Sequence, residues 1–240
     1  MYMVIGKGDR QEELRQQEAY TRTQEYLEEI HQQYGFPRIV AELSSDQGEL
    51  LLETFQSDPR WSSRGEPRLM PPDAITLCRF EIILYSKDCP RAVKNFKSLC
   101  EGVQDKHGKD LHYKGTVFHR FVKDFCLQGG DINGKGGDSI YNGFFKDEKG
   151  GLKLKHDAVG IVSMANSGPH TNRSQFFFTL SKDGCHSCDG KHVVVGRVVN
   201  DDALRFLIES VNEELECENQ VPTTHVWISS CGVVDPNTTY

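Results

Sequence analysis

The sequence predicts a mainly β fold, a closed antiparallel β-barrel capped by two α-helices, with a helical extension at the N-terminal end. Three observations lead there. Strand-like runs outnumber helical ones from Ile75 onward, and several alternate apolar with polar residues. Just two later stretches, beginning at Pro90 and Asp201, carry the three-to-four spacing of a helix with one buried face. The residues before Gly35 differ in composition from everything that follows, being rich in Glu, Gln and Arg.

A chain of 240 residues can hold one good-sized core, so one domain plus an extension is expected rather than two full domains. The division drawn is a helical N-terminal extension, residues 1–36, and a β domain, residues 37–240, with an insertion near 56–73. An apolar content of 37 % is low for a fully packed chain, which suggests that part of it is solvated or docked on something else. A net charge of −7 with no clustered basic face excludes a phosphate-backbone binder, so nucleic acid is not expected as a partner. No run of eighteen apolar residues is present and MYMVIGKGDRQEE lacks the apolar core of a secretory signal; no membrane association and a cytoplasmic location are expected. In that compartment the 8 cysteines are expected to stay mostly reduced, with Cys78, Cys100 and Cys231 packed as small hydrophobes. The Asn237-Thr238-Thr239 sequon would then have no consequence.

Gly8 to Gly35 contains no proline and ends at Gly35-Phe36-Pro37, a helix stop. Its stripe of Tyr20, Leu27, Ile30 and Tyr34 is too thin to nucleate a domain, leaving a largely solvated helix or an arm that docks on a partner. RIVAEL and ELLLETF, flanking SSDQG between Arg38 and Phe55, read as a hairpin. Gln56 to Asp73 reads as an irregular inserted loop. Ile75 to Tyr85 is a half-buried strand, and Pro90 suits the first turn of a helix that turns Ala92, Val93, Phe96, Leu99 and Cys100 inward. Asp201 to Glu216 gives the second helix, with Leu204, Leu207, Ile208 and Val211 inward, and His225 to Val234 the closing strand.

The stretch FHRFVKDFCLQGGD, Phe118 to Asp131, is the most informative. Its first strand alternates Val117, His119 and Phe121 against Phe118, Arg120 and Val122; Lys123 and Asp124 turn the chain; Phe125, Leu127 and Gln128 restart it. Gly129-Gly130 permits a backbone approach that a Cβ would obstruct. An Arg, a Phe and a Gln thereby come onto one surface.

This wording, together with SMANSGPHTNRSQFFFT (Ser163 to Thr179), DGKHVVVGRV (Asp189 to Val198) and CPRAVKNFKSLCEG, resembles the cyclophilins, a family of peptidyl-prolyl isomerases, over roughly Ile75 to Val234. In that family the first strand runs almost directly into the second, so this chain either carries an insertion there or uses a different first strand. The resemblance implies catalytic roles for Arg120 and Gln128, a proline slot formed by Phe125, Cys126, Phe177 and His192, and a peptide-gripping rim from Ala165, Asn166 and Gln175. Singly, each of these would suit a plain core or turn position; the binding reading rests on their occurring together. His119 alternates away from Arg120 and is read as a structural hydrogen-bonding residue. The resemblance implies proline-containing protein segments as substrate and no cofactor.

The chain departs from the family at several places. Cys126 stands where the family usually has Met, which should leave the slot looser. Ile132 to Tyr141 is shorter than the family form. LSKDGCHSC, between Thr179 and Asp189, is longer and lacks the customary Trp, with Ser187 near its place and Cys188 near the following Leu; this puts binding of cyclosporin-type ligands in doubt. Cys185-His186-Ser187-Cys188 is read as a variant loop, with a reversible disulfide and a zinc site as alternatives; one CxxC supplies only two thiolates, so no metal is expected. A rival reading makes the barrel a low-turnover binding or architectural module held in a large assembly by its N-terminal helix and the 56–73 insertion. Some divergent relatives of this type occur in cilia and flagella.

Overall fold

The computed structural model describes residues 1–72 and 75–234, so Asp73, the last residue of the expected insertion, and the Asn237-Thr238-Thr239 sequon lie outside the described residues. The chain forms two compact units, one of Met1–Lys7 with Thr76–Tyr240 and one of Gly8–Ile75. The boundary expected at 36/37 coincides with neither limit.

In chain order the elements are β1 (Tyr2–Lys7), α1 (Arg10–Tyr34), a 3-10 turn (Val40–Glu42), α2 (Ser45–Ser57), α3 (Pro59–Ser62), β2 (Thr76–Leu84), α4 (Pro90–Glu101), β3 (Val103–Gln104) and β4 (Asp110–Leu111). There follow β5 (Phe118–Val122), β6 (Cys126–Gly129), α5 (Lys149–Lys153), β7 (Ile161–Met164), β8 (Phe176–Thr179) and β9 (Val194–Val198). The last are α6 (Asp201–Phe206), continued by a wider π turn (Leu207–Glu213), β10 (Cys217–Glu218), β11 (Val221–Pro222) and β12 (Val226–Gly232).

Eight strands form one antiparallel sheet in the order β12-β1-β2-β9-β7-β8-β6-β5. Its ends nearly close: Val117 bridges Trp227, Gly115 N–H donates to Ile228 O at 2.8 Å, and Ile228 N–H donates to Thr116 O at 2.9 Å. The expected barrel is thus present. Its first strand, which the sequence left open, is β1, paired with β12 on one side and β2 on the other, Lys7 opposite Thr76. Residues 2–7 therefore correct the all-helical assignment of residues 1–36. Met3 and Ile5 alternate into the core with no exposed surface, the period-two pattern of a strand. The helical residues are an insertion between the first two barrel strands rather than an extension before them.

The inside of the barrel is largely aromatic. Phe176 makes edge contacts with Phe96, Tyr113, Phe118 and Phe178, and Tyr113 O–H donates to Ser174 O at 2.6 Å. Helix α4 caps it as expected, with Pro90 at its start and Ala92, Val93, Phe96, Leu99 and Cys100 buried. The Glu148 carboxylate accepts the Arg91 and Ala92 N–H groups at 3.0 and 2.8 Å, placing negative charge at the helix N-terminus. The second capping helix differs in its buried face. Ala203, Leu207 and Val211 have no exposed surface and Phe206 is buried beside them, while Leu204 and Ile208 are half-buried. The π turn from Leu207 rotates the later residues relative to a regular helix.

The Gly8–Ile75 unit overturns three expectations. Gly35 ends α1 at φ 67°, as read, and Asp9 caps its start. SSDQG, however, is a helix start. Ser44 Oγ accepts from Gln47 N–H while Gln47 Oε1 accepts from Ser44 N–H, a reciprocal capping box that opens α2. RIVAEL holds a single 3-10 turn, and most of the 56–73 stretch is tied down rather than loose: Trp61 is buried, its Nε1–H donating to Glu29 Oε2 at 3.0 Å, and Arg22 donates to Glu66 O at 2.8 Å. Leu51 and Phe55 of α2, with Trp61, complete a core with Tyr26, Leu27 and Ile30 of α1. The stripe that looked too thin to build a domain gains its second layer from residues read as strand and loop.

Candidate functional site

Arg120 and Gln128 face each other because β5 and β6 pair in antiparallel register, joined by a tight turn. Asp124 takes the left-handed conformation there (φ 55°), and Asn212 secures it, its Nδ2 donating to Asp124 Oδ1 and its Oδ1 accepting from Asp124 N–H, both at 2.7 Å. The simple alternation read along Val117–Val122 is interrupted. A bulge between Phe118 and Arg120 lets Phe118 and Phe121 both enter the core, leaving Arg120 and Val122 on the outer face. His119, expected to be hydrogen-bonded, has a buried Nδ1 with no partner among the described residues. The two glycines act as read: a Cβ on Gly129 would lie 2.7 Å from the Phe118 ring and one on Gly130 2.7 Å from Phe176.

A chain of side-chain hydrogen bonds runs outward from Asp131. Its Oδ2 accepts from Gln175 Nε2 (3.3 Å), Gln175 Oε1 accepts from Gln128 Nε2 (2.8 Å), and Gln128 Oε1 accepts from Arg120 Nη1 (3.3 Å). A carboxylate only accepts and a guanidinium only donates, so both amides between them have a fixed orientation. Burial raises the Asp131 pKa, but the N–H groups of Gly136, Asn133 and Gly137 outweigh it and hold the carboxyl below the usual value. Arg120 Nε donates in turn to Gln220 Oε1 at 2.8 Å. Gln220 sits in the β10–β11 turn with Asn219, both at positive φ, and its carbonyl accepts Phe121 N–H at 2.8 Å. The guanidinium is therefore held at two nitrogens over the sheet rather than swung into solvent.

Beside it lies an apolar cluster of Cys126, Phe177, Cys185 and Cys188, with Val122, Phe125 and Ala165 packed against it. His192 stands edge-on to Phe177 at 5.3 Å between ring centroids. Its Nδ1 lies 3.0 Å from Met164 O, which assigns the proton to Nδ1 and leaves Nε2 an acceptor. Burial pushes the His192 pKa down, so it is neutral near pH 7. Burial pushes the Cys126 thiol up to about 12 and raises Cys185 and Cys188 as well, so all three pack as thiols. Cys185 Sγ donates to Phe125 O at 3.1 Å. Cys188 is buried, while Ser187 is exposed. Among the described residues no group of three or more His, Cys, Asp or Glu could hold a metal ion.

Asn166 contributes differently from the expectation. Its side chain is engaged within the chain, Nδ2 donating to Lys191 O (2.8 Å) and Oδ1 accepting from Gly168 N–H (3.2 Å). Its main-chain N–H and C=O make no hydrogen bond among the described residues. A hollow of about 360 Å³ adjoins Gln128, Ala165, Asn166 and Gln175. A larger one, about 520 Å³ and lined by Tyr85, Lys153, Lys155, Asp157, Arg197 and Leu204 among others, contains none of the site residues.

The sequence reading missed the support behind Phe177. His156, wholly buried, stacks on that ring at 5.9 Å; its Nδ1–H donates to Asp189 Oδ1 (3.0 Å) and its Nε2 accepts from Ser163 O–H (2.9 Å). Burial lowers the His156 pKa, against the raising effect of Asp189. Burial also acts to raise Asp189, but donors from His156, Lys155 and His186 outweigh it and hold the carboxyl far below the usual range. The order Asp-His-Ser is that of a hydrolase triad, yet Ser163 is 0 % exposed and cannot meet a carbonyl carbon. Ser163 and Asp189 stood at the ends of two quoted motifs, which was the available signal; His156 had none.

The chain is 46 % identical over 157 residues to the NK-tumor recognition proteins of Mus musculus and Homo sapiens, covering 63 % of this chain and 10 % of theirs. It is 42 % identical over 160 residues to peptidyl-prolyl cis-trans isomerase 9 of Caenorhabditis elegans (64 % of this chain, 50 % of the relative). It is 46 % identical over 142 residues to peptidyl-prolyl cis-trans isomerase CYP21-1 of Arabidopsis thaliana (57 % and 62 %). The chain thus spans from a tenth to under two thirds of these curated relatives. Residues 74–233 match the family described as cyclophilin type peptidyl-prolyl cis-trans isomerase/CLD, and the chain belongs to that family.

Proposed function

We propose that the barrel isomerises X-Pro peptide bonds in proteins, with the proline ring seated on Phe125, Cys126, Phe177 and His192 and the Arg120 guanidinium aimed at the amide nitrogen. Rotation about such a bond has a barrier of roughly 18–20 kcal/mol although its isomers differ by only about 0.5–1 kcal/mol. As the bond twists, resonance is lost and the nitrogen acquires a localised lone pair. A donor fixed at that nitrogen then stabilises the transition state more than either planar form, and each 1.36 kcal/mol of difference is about tenfold in rate. No covalent bond forms and no proton is transferred. The observation that carries this reading is the double tether of Arg120 to Gln128 and Gln220, which orders the guanidinium before a peptide arrives.

The test is NMR exchange on a short Ala-Pro peptide with the whole chain and with Arg120→Ala. Loss of one fixed donor is expected to slow exchange about 100- to 1,000-fold. Equal rates would overturn the proposal. A second reading is favoured by the helical unit, which has its own core and lies almost wholly outside the family match: Gly8–Ile75 tethers the barrel to a larger assembly. It predicts that a chain lacking residues 9–74 elutes as a monomer from cells while the whole chain elutes in a larger complex; identical elution would sink it.

A further inference from the structure

The hollow next to the candidate groove differs from the groove in charge. It shares Gln128, Ala165, Asn166 and Gln175 with the groove, but is completed by two cations, Lys135 and Arg173, and by Phe144; no carboxylate lines it. The Arg173 guanidinium carbon lies 3.9 Å from the Phe144 ring centroid, with Phe144 itself 55 % exposed. Its Nη1 makes a long contact of 3.4 Å to Gly137 O, and its Nε is buried with no partner among the described residues. Lys135 is exposed, and no ion pair involves it among the described residues. Asp131 reaches this hollow through Gln175, and its oxygens already accept from Asn133 N–H, Gly136 N–H and Gln175. Two positive charges thus stand beside the groove with no ion pair among the described residues; Asp105 and Asp138 line the hollow on their far side, and Arg173 lies on an aromatic platform that strengthens a pair formed on the groove side.

The distance to the proline slot is short. Cys126 of the slot and Gln128 of the hollow are two residues apart on β6, about 7 Å at the strand rise of ~3.3 Å per residue. An extended peptide covers that in about two residues. We propose that Lys135 and Arg173 select peptides carrying an acidic side chain, a carboxylate or a phosphate, about two residues from the isomerised proline. This rests on the isomerase reading above and names the substrate class of the same groove. Arg173 supplies the planar donors that match either anion; Lys135 supplies a mobile point charge; Phe144 packs the methylenes of the incoming side chain.

The experiment uses the whole chain and a set of N-acetylated, C-amidated Ala-rich peptides with one proline. They differ only in carrying Gln, Glu, phosphoserine or Lys two residues before or two residues after it. Exchange rates and affinities are read from the same NMR titrations. On one side of the proline, Glu is expected to exceed Gln by about three- to tenfold, phosphoserine to exceed Glu, and Lys to fall below Gln. The preference should shrink severalfold when ionic strength rises from about 0.05 to about 0.5 M, and the Glu-to-Gln ratio should fall to about one in the Lys135→Gln/Arg173→Gln double variant. Equal values for Glu and Gln at both positions would overturn this proposal while leaving the isomerase reading intact. Binding that prefers Glu but exchanges no peptide overturns the isomerase reading alone, and absence of binding for every peptide overturns both.

Discussion

Arg120 gains its orientation from a chain of hydrogen bonds that begins at Asp131. Asp131 fixes the direction of the Gln175–Gln128 amide pair, so Asp131→Asn, which adds a donor where an acceptor stood, permits the amides to flip and present N–H groups to the guanidinium. Exchange catalysis is expected to fall about tenfold in that variant with the fold retained, as read by NMR exchange and by circular dichroism. Gln220→Gly keeps the positive φ of 67° and removes only the side-chain amide; a loss of about three- to tenfold is expected, and no loss would mean that the Gln128 contact suffices. Of the site, Arg120, Gln128, Phe125, Cys126 and Phe177 were legible because each falls within a motif. Gln220 was not, since a turn one hundred positions along the chain announces nothing about the side chain it will hold.

Among the elements, α4 and α2 show why one helix was readable and the other was not. Pro90 marks the start of α4 and its apolar residues keep three-to-four spacing. In α2 the run Leu50-Leu51-Leu52 conceals the period, and only burial reveals that Leu51 and Phe55 point inward while Leu50 is 40 % exposed. Ser44→Ala removes one arm of the capping box and is expected to cost the helical unit about 1 kcal/mol. Phe55→Ala, which empties the position between Tyr26 and Trp61, is expected to cost about 3–5 kcal/mol. Thermal melting followed by Trp61 fluorescence in a Trp227→Phe background checks both. An unchanged melt in Phe55→Ala would show that the unit does not depend on this core.

At the scale of the whole molecule, the helical unit is spliced into one β-hairpin. Lys7 pairs with Thr76, and a Cβ on Gly8 would lie 2.8 Å from Ile75, so the two ends of the insertion already meet. Replacing residues 8–75 by Asn-Gly is expected to close a two-residue hairpin and leave a folded, exchanging barrel. Deleting residues 1–7 instead removes the strand between β12 and β2 and should abolish folding, as judged by amide dispersion in NMR spectra. Acid is expected to weaken the barrel through His156 and His192. Both have folded pKa values pushed below the usual histidine value of about 6.5, so stability is full above that pH and declines as pH falls through it toward the folded values. Asp189, held low, contributes stability that is lost only in stronger acid. The melting temperature should therefore drop between about pH 7.5 and pH 5, and less so in His192→Gln. By itself the sequence determined the barrel class, the two caps, the family and the residues around Arg120, because side-chain chemistry and hydrophobic period are properties of a short window. The tertiary structure alone decided that residues 2–7 are the first strand, that the bulge before Arg120 sends Phe118 inward, and that Lys135 and Arg173 line one hollow. Each is a choice between distant segments of equal local propensity, and only packing distinguishes them.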